Sequence, residues 1–136
     1  MNKVVFQWPV RIYWEDTDAG GIVFHANYLK FFERARTEWL RSLGFEQHDL
    51  RAQTGGLFVV AATDVRYLSP ARLDDQLLVS SKVDKIGNSS MQMGQQAILK
   101  SEQPTVLCEA DVRIVWVNGQ TLRPAKIPTQ ILDQLN

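Results

Sequence analysis

From Phe6 the apolar residues fall on even positions, Phe6, Trp8, Val10, Ile12 and Trp14, and this period of two predicts a half-buried strand. Pro9 has no N–H to give to a ladder, so the strand is expected at a sheet edge or to begin near position 9. The period then lengthens. Tyr28, Phe32, Ala35, Trp39 and Leu43 recur at helical spacing, with Phe31 and Leu40 widening the stripe, which predicts a helix over residues 27–43. Asn27 is its candidate N-cap and Gly44 its candidate C′ residue. Arg34 and Glu38 lie off the stripe at i,i+4 spacing and are expected to pair. Residues 45–56 are polar and predicted to be irregular.

Everything after Gly56 reads as sheet. Residues 57–68 hold an apolar run, then Val65 and Tyr67 alternating with Asp64 and Arg66. Leu73-Asp74-Asp75 turns into residues 77–86, whose outward positions include Ser80, Lys82 and Asp84, and Gly87-Asn88 signals a hairpin into residues 89–100. The clearest strand follows, with Val106, Cys108, Ala110, Val112, Ile114 and Trp116 set against Glu109, Asp111 and Arg113. Asn118-Gly119 closes it, and Pro128 opens a short terminal helix carrying Ile131, Leu132 and Leu135. Strand, long helix, then four strands joined by short turns implies antiparallel pairing. The fold class is therefore α+β, a single domain over residues 1–136 with a five-stranded sheet curled around one helix.

Composition removes several function classes. The chain has 136 residues, 45% hydrophobic and 22% charged, which fits one globular domain and not a disordered segment. Fifteen basic residues balance fifteen acidic ones, against a nucleic-acid partner. No apolar run approaches the roughly 20 residues that span a bilayer, and the N-terminal segment lacks the apolar core of a secretory signal. One cysteine, Cys108, allows no intrachain disulfide and suits a cytoplasmic setting.

The chemistry concentrates in residues 15–43. Glu15-Asp16-Thr17-Asp18 precedes Ala19-Gly20-Gly21 and the helix start. Asp18 either satisfies local amides in a solvated turn or faces the unpaired N–H groups of the helix mouth. Those groups favour the ionised carboxylate and equally suit a developing oxyanion. A carboxylate beside an oxyanion site is what acyl transfer from an activated ester requires. His25 either touches substrate or caps the turn. Neither histidine stands at metal-ligand spacing, and Cys108 faces the core side of its strand. There is no G-x-S-x-G elbow, G-x-G-x-x-G or P-loop. Glu33 and Glu38 read as solvated helix charges.

Trp8-Pro9-Val10-Arg11, Tyr13, Glu15-Asp16-Thr17-Asp18-Ala19-Gly20-Gly21, Val23, His25, Ala26 and Tyr28 together resemble the signature of the 4-hydroxybenzoyl-CoA thioesterase family of hotdog proteins. More narrowly they resemble its YbgC-like branch, encoded with the Tol–Pal envelope system in many bacteria. Phe32-Glu33-Arg34-Ala35-Arg36-Thr37-Glu38 and Ser69-Pro70-Ala71-Arg72-Leu73-Asp74-Asp75 extend the likeness over nearly the whole chain. The resemblance implies the hotdog fold and thioester hydrolysis, usually of acyl-CoA, without metal or redox cofactor. It implies Asp18 as the catalytic carboxylate, as nucleophile or as base for a water, and the backbone N–H of His25 as the carbonyl-polarising group. It also implies a homodimer or homotetramer with the site at a subunit interface. Gly21, Val23 and Tyr28 belong to the matched motif and are candidate substrate-binding residues, while Val59 and Val60 are candidates for the acyl pocket. The basic cluster some relatives carry after the third strand is replaced by Lys85-Ile86-Gly87-Asn88, leaving Arg72, Lys82 and Lys85 as candidate phosphate contacts. Three alternatives accompany hydrolysis of acyl-CoA: action on acyl carrier protein thioesters, hydration or dehydration using His25, and thioester binding without catalysis.

Overall fold

The computed structural model describes residues 5–135; the first four residues of the N-terminal segment considered above, and Asn136, lie outside them. Five strands form one antiparallel sheet in the order β1-β3-β4-β5-β2: β1 (Phe6–Arg11), β2 (Gly56–Tyr67), β3 (Gln76–Ile86), β4 (Ser90–Leu99) and β5 (Thr105–Asn118). Helix α1 (Asn27–Ser42) packs on the concave face against β1, β3 and β4, and α2 (Gln47–Thr54) and α3 (Thr129–Asp133) are short. This is the α+β hotdog architecture expected.

The helix sits where its stripe dictates. Phe31, Phe32 and Ala35 are fully buried, and Tyr28, Trp39 and Leu40 nearly so, against Leu77, Val79, Met91, Met93 and Val112. Each large side chain removed from water contributes about 2–3 kcal/mol. The C-terminus closes on Gly44 at φ +98°, with the Gly44 N–H donating to Arg41 O (2.9 Å) and the Phe45 N–H to Leu40 O (3.2 Å). That bond pair is a Schellman stop, which the left-handed glycine makes available. Cys108 is fully buried on the inward side of β5, and burial pushes its thiol up to about 12.

Several expectations are corrected. β1 is an edge strand, as Pro9 requires, but it ends at Arg11; Trp14 begins a 3-10 turn (Trp14–Asp16) and is 79% exposed, and Trp8 is also exposed. Residues 45–56 are not irregular, since α2 occupies most of them with Leu50 as its only buried side chain. Arg34 stacks over the Phe31 ring, and Glu38 pairs instead with Arg41 at 2.7 Å. Ser80 is buried, its hydroxyl accepting the Gln96 N–H at 3.0 Å. Asn27 does not cap α1. The cap position falls to Ala26, with no side-chain acceptor there.

One irregularity shapes β2. Val60 pairs with Ile114 and Ala62 with Arg113, so Ala61 is an extra residue on this strand. Before the bulge the even residues Phe58 and Val60 stand opposite inward-facing β5 residues; after it the odd residues Thr63, Val65 and Tyr67 do. The extra residue thereby turns Tyr67 toward α1.

Candidate active site

Residues 16–24 form a small hairpin ahead of α1. The Phe24 N–H donates to Asp16 O (2.9 Å), Thr17 bridges Val23, and the Asp18 N–H donates to Ile22 O (2.9 Å). Asp18 stands at the tip, where the Gly21 N–H donates to Asp18 O (3.1 Å) and Gly21 adopts φ +80°, a conformation glycine takes without steric cost. The hairpin is moored to the loop before β3 by the Ile22–Arg72 bridge and by the Val23 N–H donating to Ala71 O (2.9 Å).

Asp18 does satisfy a local amide, as the turn expectation has it. Its Oδ1 accepts the Gly20 N–H at 2.8 Å, closing a local turn, while Oδ2 has no partner among the described residues, and the side chain is exposed. A carboxylate held by one oxygen and open at the other is a fixed, directed acceptor or nucleophile.

The hairpin leads directly into the start of α1. With Ala26 at the cap and no acidic residue in the first turn, no side chain among the described residues caps the backbone of α1. The backbone N–H groups of His25 and Ala26 find no acceptor among the described residues, so they retain the donor capacity of an anion site. The segment is fastened on its other side, because the Tyr67 hydroxyl donates to His25 O at 2.8 Å. The His25 ring is exposed and lies 4.5 Å from the Phe24 ring and 6.2 Å from that of Tyr67, with no carboxylate bonded to it among the described residues. Tyr28 is buried, with its ring edge-on to Tyr67 and its hydroxyl accepting the Ala71 N–H (3.2 Å). Burial raises both the Tyr28 and the Tyr67 phenols above the ordinary tyrosine value.

The structure gathers some of the anticipated residues and separates others. Asp18, Gly21, His25, Tyr28 and Arg72 lie around the hairpin and helix mouth, the Arg72 side chain exposed. Val23 is there too, but its side chain is buried in the core. Val59 and Val60 lie seven or eight residues up β2 from Tyr67, about 25 Å at strand rise. Lys82 and Lys85 are about 20 and 30 Å along β3 from Gln76, and Lys82 already pairs with Asp84 at 3.6 Å. No hydrogen bond or ion pair joins these four to Asp18 among the described residues. Tyr67 and Asp16 were missed from the sequence. The alternation of Tyr67 with Arg66 was a signal that Tyr67 faces inward, whereas nothing in its spacing marked Asp16.

A curved antiparallel sheet holding one helix, preceded by a hairpin that bears an open carboxylate, defines the class: this is a hotdog domain of the thioesterase kind. Residues 12–135 match the thioesterase-like superfamily, and the chain belongs to it. The chain is similar to the acyl-CoA thioester hydrolase YbgC of Escherichia coli O6:H1, 42% identical over 97% of this chain and 96% of that one. It is also similar to the acyl-CoA thioesterase YbgC of Haemophilus influenzae, 39% identical over 93% and 90%. The fold superposes on the 4-hydroxybenzoyl-CoA thioesterase of Pseudomonas sp. strain CBS-3 with a TM-score of 0.89, at 18% identity over 96% of this chain and 98% of that one.

Proposed function

We propose that the protein hydrolyses acyl-CoA thioesters to free acid and coenzyme A. The observation that carries this is the open Oδ2 of Asp18 at the tip of a hairpin that leads straight into the uncapped His25–Ala26 N–H groups. A thioester carbonyl with its oxygen on those N–H groups has its developing negative charge stabilised. Asp18 Oδ2 then adds to the carbonyl carbon, the C–S bond breaks, coenzyme A leaves as thiolate, and water hydrolyses the resulting anhydride to the acid and the regenerated carboxylate. The relatives named as acyl-CoA thioesterases support coenzyme A as the carrier. Hydration chemistry is disfavoured, since no carboxylate partners His25 among the described residues.

Two surface depressions of about 460 and 410 Å³ are lined by residues including Trp14 and Leu73, and Leu29 and Arg34, respectively; neither includes Asp18 or His25. A second copy supplies what is missing. The outer edge of β2 is unpaired, and Val60 (49% exposed), Ala61 and Ala62 lie open along it. Pairing two β2 edges antiparallel carries one copy's Val59 and Val60 toward the other's Tyr67, which completes an acyl pocket and removes an aggregation-prone edge. The dimer is the minimum unit and a tetramer the expected assembly, with Arg72, Lys82 and Lys85 as phosphate contacts from more than one chain. No helix among the described residues is long and apolar enough to cross a membrane, and the buried lone thiol suits the cytoplasm.

The test is thiol release from a panel of acyl-CoAs and acyl carrier protein thioesters by wild type and Asp18→Asn. Turnover on the CoA panel with a loss of at least about a hundredfold in the variant is expected; full activity in Asp18→Asn would remove Asp18 from the mechanism. Sedimentation as a stable monomer would contradict the shared pocket.

A further inference from the structure

The proposed chemistry needs Asp18 and the His25–Ala26 N–H groups at a fixed separation, and one residue spans both. The backbone carbonyl of Asp16 accepts the Phe24 N–H (2.9 Å), and its carboxylate Oδ1 accepts Asn27 Nδ2 (2.7 Å). Asp16 thus fastens the residues on either side of His25 and Ala26, whose N–H groups have no acceptor among the described residues, and it stands two residues before Asp18. Its other oxygen, Oδ2, accepts the Tyr13 N–H at 2.8 Å. Both partners are buried, Asp16 at 5% and Asn27 at 8% exposure. No cation lies within ion-pair distance of Asp16 among the described residues, so its two carboxylate oxygens are held by two N–H donors. Burying an unpaired carboxylate is costly, and an apolar pair would fill the space without that cost.

We propose that Asp16 and Asn27 are positioning residues for the hydrolytic site: the side-chain bond between them sets the helix mouth in register with the Asp18 hairpin. The inference rests on the proposed hydrolysis and deepens it by assigning two residues that touch no substrate. A shift of the mouth by about 1 Å is enough to cost a hundredfold in rate. The loss falls on kcat, because the oxyanion contact tightens only in the transition state.

The test uses three variants of the full chain, with kcat and KM on one acyl-CoA from pH 5 to 9 and a melting curve at each pH. Asn27→Asp sets two carboxylates against each other. They share a proton at low pH and lose it as pH rises, so kcat is expected to fall at least about tenfold across the range while KM stays within about twofold. The swap Asp16→Asn with Asn27→Asp restores one donor and one acceptor in that pair and keeps an acceptor for Tyr13; it should regain the wild-type pH profile. Tyr13, Glu15, Asp18, His25, Tyr28, Arg72 and Asp75 are common to all forms, so their titrations cancel in the comparison. Asn27→Ala removes the bond without adding charge and keeps the test open should Asn27→Asp unfold at high pH; its kcat is expected to drop about tenfold at every pH. Wild-type kcat in Asn27→Ala, a swap no better than Asn27→Asp alone, or losses that merely follow the folded fraction would overturn the positioning role. If Asp18→Asn still abolishes turnover in that case, the hydrolytic reading stands and only this inference fails. No turnover by the wild type overturns both.

Discussion

Replacing Gln95 with leucine tests how the helix is held to the sheet. Gln95 is 1% exposed on β4, and its amide faces α1. Nε2 donates to Phe32 O (3.0 Å) and to Ser81 Oγ (2.8 Å), while Oε1 accepts Arg36 Nη1 (2.9 Å). Burial lowers Arg36 below the ordinary arginine value, a sign that its guanidinium is short of solvent. Leucine removes the acceptor from a partly buried cation, at a cost of about 1.5–3 kcal/mol, and the donor from Ser81, about 1 kcal/mol more. Phe32 O keeps its helical bond, and the extra apolar burial offsets about 1 kcal/mol. The net loss is about 1.5–3 kcal/mol, or a melting temperature lower by about 5–9 °C for a chain of this length. Calorimetry at fixed protein concentration reads it, because the proposed assembly would contribute to apparent stability. Adding Arg36→Met removes the stranded cation, so the double variant should melt above Gln95→Leu. A single variant within about 2 °C of wild type would mean that the cluster is exchangeable for apolar packing, and the reasoning would be wrong.

A Cβ on Gly56 would lie 2.5 Å from Cζ2 of the buried Trp116 ring, so Gly56→Ala should cost about 1–3 kcal/mol, read as a lower urea midpoint; an unchanged midpoint would mean the indole moves freely. Burial raises Tyr28 and Tyr67, so the folded state holds both phenol protons more tightly than the unfolded chain does. Their contribution is fully present below about pH 10 and is lost as pH rises through the folded values. Absorbance at alkaline pH should show two phenols ionising late, with Tyr28→Phe removing one of them. Phenols all titrating at the ordinary value would contradict this.

Much of the fold was legible because local pattern and tertiary environment agree. From Cys108 to Ile114 the inward and outward residues of β5 alternate as written, and the α1 stripe is its buried face. The pattern failed where a single residue or a distant partner decides. α2 buries only Leu50, so it left no periodicity to find. The bulge at Ala61 reverses which parity of β2 faces in, which explains why the run before Asp64 showed no alternation. Asn27 looked like a cap because its type favours caps. The structure instead spends its amide on Asp16, eleven residues away, a contact that no local rule contains. Asp18 and the helix mouth were visible as a juxtaposition of types, whereas the freedom of one carboxylate oxygen and two N–H groups required coordinates.

Cys108 has a practical consequence. A fully buried thiol raised to about 12 stays protonated at neutral pH and out of reach of maleimides. Since it is the chain's single cysteine, a cysteine introduced at exposed Glu102 in the turn between β4 and β5 would take a spin label or dye selectively, with no need to remove the native one. Label-to-label distances across an assembly, and their change when a thioester binds, then become measurable in a protein otherwise unaltered.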